Sequence, residues 1–153
     1  MRNLILSVAV TCLAGPALAE TQLERMERLT TGMQEALYAH LSTEVPEIAG
    51  RLPDAGWDAG VRQAASCSLE AYEDKIGRRG VDQMLDTMEE RLSTPISDLA
   101  TWLDGLSFDA GLSTSETQAI EVGCGFLSAT EAKMTADPLF PNLIRAITEA
   151  MSR

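Results

Sequence analysis

Histidine is scarce here: the 153 residues hold one, His40. A histidine base needs a nucleophile within hydrogen-bond reach, and the sequence places none beside His40, which reads as a surface residue near a helix end. The same scarcity removes the usual zinc sites, which draw on several His, Cys or carboxylate ligands, so no catalytic residue, metal site or cofactor is expected. Aromatic residues make up only 5%. No Gly-x-Gly-x-x-Gly, phosphate loop, Gly-x-Ser-x-Gly, His-Glu-x-x-His or Asp-x-Asp-x-Asp-Gly calcium loop occurs. Lys and Arg number 12 against 23 Asp and Glu, a net charge of −11, which argues against nucleic acid or an anionic membrane face as a partner. No apolar run approaches the roughly 20 residues that a spanning helix needs.

What the chain does have begins at its start. Arg2, the apolar stretch Leu4 to Leu13 and the small-residue pattern Ala17-Leu18-Ala19 before Glu20 together read as a removable secretory signal over 1–19. A lipid-modified Cys12 fits less well, because Thr11 stands where a small residue usually precedes such a cysteine. The expected mature chain, 20–153, is one exported soluble domain without a stable membrane anchor. It would be periplasmic in a Gram-negative bacterium, or secreted, and loss of Arg2 takes its charge to −12.

Cys12 leaves with that signal, and Cys67 and Cys124 remain for an oxidising compartment. They lie 57 positions apart, which excludes a Cys-x-x-Cys redox motif and a zinc knuckle. A structural disulfide between Cys67 and Cys124 is expected; a loop of that length is worth about 4 kcal/mol on the chain-entropy model.

Apolar positions recur at three and four residues, and no stretch alternates long enough for a strand. The fold class expected is all-α, a single-domain bundle of five or six helices. Leu23, Met26, Met33, Leu37 and Leu41 line a first helix within 20–45, ending before Pro46. A Pro- and Gly-containing loop follows. Val61, Ala64, Ala65, Leu69, Tyr72 and Ile76 then mark a second helix that stops at Gly77, and Val81, Met84, Leu85, Met88 and Leu92 a third. Thr94-Pro95 signals the start of a short helix carrying Ile96, Leu99, Leu103 and Leu106. The capping-box pattern Ser113 to Glu116 opens a helix expected to run through Ile120, Cys124, Leu127 and Met134. Phe140, Leu143, Ile144, Ile147 and Met151 mark the last.

Trp57-Asp58-Ala59-Gly60-Val61 recurs as Phe108-Asp109-Ala110-Gly111-Leu112, each copy followed by a helix with a cysteine and then a breaker. This suggests two repeated helical hairpins, 57–92 and 108–151, joined by the disulfide at a two-fold axis. Coincidence among Ala- and Glu-rich helices is the alternative. Small neighbours, Ala64-Ala65-Ser66 and Gly123 with Gly125, would let the two cysteines approach.

Function is read by elimination. Glu70, Glu73 and Asp74, or Asp82 and Asp86, share helix faces but are most simply solvated. Met84 and Met88 could hold copper(I), though a core stripe explains them as well. A non-enzymatic binding or structural module of unknown partner is expected, acting on a protein or on a second copy, with the first helix as the docking element. The rival is an enzyme or small-ligand carrier whose inter-helix pocket is lined by carboxylates such as Glu73 or Glu131. Thiol redox chemistry is a third reading and requires an exposed disulfide.

Overall fold

The computed structural model describes residues 20–104 and 111–152. The expected signal, Leu106 and the triplet Phe108-Asp109-Ala110 lie outside the described residues. Six α-helices and no strand are present among those described: α1 (Gln22–Glu44), α2 (Ala59–Ser93), α3 (Leu99–Asp104), α4 (Thr114–Gly123), α5 (Phe126–Ala136) and α6 (Phe140–Met151), with a 3-10 turn at Pro46–Ile48 after α1. The all-α expectation holds.

Local chemistry sets the ends. A capping box starts α1, the Thr21 N–H donating to Glu24 Oε2 at 2.8 Å and the Glu24 N–H to Thr21 Oγ1 at 3.2 Å. Asp58 caps α2, accepting from the Val61 N–H at 2.8 Å. Within α2, Gly77 adopts φ 71° and ψ 164°, a conformation almost confined to glycine. The helix therefore folds back there into two arms, 59–76 and 78–93, as the sequence expected of two helices parted at Gly77.

Contacts with α1 give the directions. Glu27 pairs with Arg62 of the first arm, and Gln22 Nε2 donates to the Arg78 carbonyl and to Asp82 Oδ1 near the tip. Arg25 then pairs with Asp86 and Glu89 at 2.7 and 2.6 Å. The first arm thus runs antiparallel to α1 and the second parallel to it. Asp82 and Asp86 are tethers to α1 rather than unpartnered carboxylates.

Met26, Leu29 and Met33 pack with Ala65, Leu69 and Tyr72 of one arm and Val81, Met84, Leu85 and Met88 of the other. Met84 and Met88 are part of this core, 4% and 2% exposed, and not a copper site at the surface. A second cluster joins Leu41, Val45 and Ile48 to Leu99, Leu143 and Ala146. Both clusters use α1, whose apolar stripe is covered by α2 on one side and by α6 on the other, so a partner docking on this helix would meet its remaining polar faces.

Two boundaries also differ from the sequence reading. The short helix begins after Asp98, not at Pro95, because Asp98 Oδ1 accepts from the Thr101 N–H at 2.7 Å and supplies the cap; Ile96 precedes it. The helix expected to run through Cys124 ends there instead. The Cys124 N–H donates to the Ile120 carbonyl, and Gly125 takes the left-handed conformation, φ 72° and ψ 18°, that closes one helix before the next begins. The two proposed repeats therefore share their order of helix and breaker, but Cys67 lies inside a helix and Cys124 at a corner.

Candidate functional site

The cysteines meet. Cys67 and Cys124 form a disulfide with Cα atoms 5.6 Å apart, within the usual span for such a bond. Ala64, Ala65 and Ser68 beside it are buried and small, as the close approach requires. The bond ties the middle of the first α2 arm to the α4–α5 corner, and Trp57 reinforces this by meeting Phe126 edge-on at 5.9 Å. Cys67 is exposed at the surface and Cys124 half-buried.

The other sequence candidates are not brought together. Glu70, Glu73, Asp74 and Glu131 are exposed, and His40 lines no cavity described here. Among the described residues no group of three His, Cys, Asp or Glu side chains could hold a metal ion, and no helix is long and apolar enough to cross a membrane. Among the described residues, large apolar side chains are exposed at Val122 and Leu127 of the disulfide corner and at Ile144 and Met151 of α6; isolated examples of this kind are ordinary on a protein surface.

Among the described residues, Glu121 is a carboxylate that turns inward. It lies on α4 one turn from Thr117, a spacing that marks a shared helix face but not an inward-turned carboxylate. Tyr72 Oη donates to Glu121 Oε1 at 3.2 Å inside a cavity of about 70 Å³ walled by Met26, Met84, Met88 and Phe126. Burial raises the Glu121 carboxyl above its ordinary 4.5, an effect that the Tyr72 hydrogen bond only partly offsets. Burial, with the nearby Glu121 charge, likewise raises the Tyr72 phenol. The pocket offers one carboxylate, not the converging pair that acid and base catalysis would use.

The raised Glu121 value predicts a pH effect. A carboxyl whose pKa rises on folding favours the folded state while protonated, so its contribution is complete below pH 4.5 and is lost as pH climbs through the elevated folded value. Glu121→Gln retains an acceptor for Tyr72 and removes the charge. It is expected to raise the melting temperature at pH 7 by a few degrees, about 3 °C per kcal/mol for a domain of this size, and to make little difference at pH 4. An equal shift at both pH values would contradict this.

The most apolar cleft described lies where the two apolar clusters meet without fully merging. An open cleft of about 330 Å³ is walled by Met33, Leu37, Trp102, Met134, Leu143 and Ile147, from α1, α3, α5 and α6. That volume falls within the range of about 300–1,000 Å³ typical of small-molecule sites. Its few polar groups come from Thr30, Gln34, Tyr38 and Thr130. Gln34 Nε2 donates to Tyr38 Oη at 2.5 Å and also contacts Met134 Sδ at 3.3 Å, while Thr30 Oγ1 donates to the Met26 carbonyl. Thr130 Oγ1 is buried without a hydrogen-bond partner.

A smaller chamber of about 150 Å³ adjoins the cleft, shares Thr30, Gln34, Thr130 and Met134 with it, and adds Trp57 and Lys133. Lys133 Nζ donates to the Asp54 carbonyl at 2.5 Å and lies 3.5 Å from Asp54 Oδ2. No motif announces this cleft, because its walls come from four helices distant in sequence.

Fold and site together define a disulfide-tied helical bundle with an uncharged apolar cleft between its helices. No protein family, curated protein or solved structure matches the chain, so a functional reading stands on this geometry.

Proposed function

We propose that the protein is an exported, non-enzymatic binding module whose working element is the cleft between α1, α3, α5 and α6, which takes an apolar guest. The observation that carries this reading is the cleft itself, sized for a small molecule and lined by methionine, leucine, isoleucine and tryptophan without a charged side chain. Methionine walls adapt to guests of differing shape. A carboxylate-lined catalytic pocket is disfavoured by the exposure of Glu73 and Glu131. Export is supported by the leader pattern and by the disulfide, which persists in an oxidising compartment.

Native mass spectrometry of protein from its own compartment tests both parts, with a chain beginning at Glu20 and a retained apolar molecule as the expected result. In vitro, 1-decanol is expected to shift the emission of Trp102, which lines the cleft. Ile147→Phe fills part of the cleft and should weaken decanol binding at least tenfold while leaving the melting temperature near that of the parent. No decanol binding by fluorescence or by equilibrium dialysis, up to its solubility limit, would overturn the cleft reading.

A further inference from the structure

Resting on that reading of the cleft, we infer that the guest is an aliphatic carboxylate whose chain lies in the cleft and whose head sits in the adjoining chamber beside Thr130 and Lys133. Two observations converge on the head position. Thr130 Oγ1 is buried with no hydrogen-bond partner and lines both cavities. A buried donor left unmade costs free energy, and an acceptor from a ligand would recover it. Lys133 brings a cation to the same chamber, its side chain only 18% exposed.

That cation is held for the present by Asp54, whose carboxylate is 78% exposed and 3.5 Å away. Such a solvated pair is weak. A ligand carboxylate can therefore replace Asp54 Oδ2 while Lys133 keeps its bond to the Asp54 carbonyl. An ammonium group carries three donors, enough for both. Between cleft and chamber stand Gln34 and Met134, joined by a 3.3 Å contact; both are unbranched side chains that can turn aside to let the chain of the ligand pass. The negative charge of the protein as a whole opposes an anionic ligand only weakly at this site, since exposed charges are screened beyond about 8 Å at physiological salt.

The test compares decanoate with 1-decanol by the fluorescence of Trp57 and Trp102, which line the chamber and the cleft respectively. Decanoate is expected to bind about tenfold more tightly than decanol, the value of one charge-assisted hydrogen bond of about 1.4 kcal/mol. Lengthening the acid from octanoate should tighten binding about fourfold per methylene. Lys133→Gln should abolish the preference for the acid without changing decanol binding, and Asp54→Asn should increase it by freeing the ammonium. Should decanol bind as well as decanoate, with neither variant altering the ratio, the assignment of the head is overturned while the cleft reading stands. If neither ligand binds, both fall. Comparing decanoate with its methyl ester distinguishes a free carboxylate from an esterified acyl group: the ester should behave as decanol does.

Discussion

A chain lacking residues 20–45 is expected not to fold. Helix α1 supplies Met26, Leu29, Met33 and Leu41, all buried, and Leu29 and Leu41 have no exposed surface at all. Burying such side chains is worth about 1.5–3 kcal/mol each, so four of them match the about 5–15 kcal/mol by which a domain is stable. The loss also strips the partners of Asp86 and Glu89 and uncovers both arms of α2. Far-UV circular dichroism and thermal unfolding measure this directly. Leu29→Ala is the graded form of the same experiment, with an expected cost of about 2–5 kcal/mol. Were the truncated chain to unfold cooperatively at the parent's melting temperature, α1 would be an appendage and the two-cluster core described above would be wrong.

The second large effect is that of the disulfide. Cys67→Ala with Cys124→Ala opens a loop with a sequence separation of 57. The chain-entropy relation gives a loss of about 4 kcal/mol for that loop. In urea this displaces the unfolding midpoint by roughly 2 M if the slope is about 2 kcal/mol per molar. Hydrogen exchange should quicken first across 114–136, since the bond is the covalent tie of the α4–α5 corner to α2, with Tyr72–Glu121 and the packing of Ile120 and Phe126 among the other contacts. Because Cys67 is exposed, a dithiol reductant should act on the folded protein and reproduce the double variant. An unchanged midpoint after verified reduction would show that the corner is held by packing alone.

Much of the local structure was legible. The Ser113–Glu116 box and the break at Gly77 were read from the sequence, and the Thr21–Glu24 box and Asp58 cap found in the structure are equally local, decided within a few residues of one another. Where the reading missed, a nearby competitor prevailed: Asp98 captured the start of α3 from Pro95, and Gly125 ended α4 in what had looked like a continuous stripe. Glu121 was passed over because a carboxylate on an apolar stripe resembles any other glutamate until Tyr72, 49 positions away, is seen to meet it.

By itself the sequence determined an all-helical chain, the two cysteines suited to pair and most helix boundaries, because periodicity, capping and glycine conformation act over a turn or two of backbone. Three-dimensional packing is what makes α1 the shared wall of two cores, lines one chamber with Thr130 and Lys133, and leaves an apolar cleft between four helices. Those facts depend on how helices distant in sequence approach one another, and that is set by the packing of whole faces rather than by any residue's own neighbours.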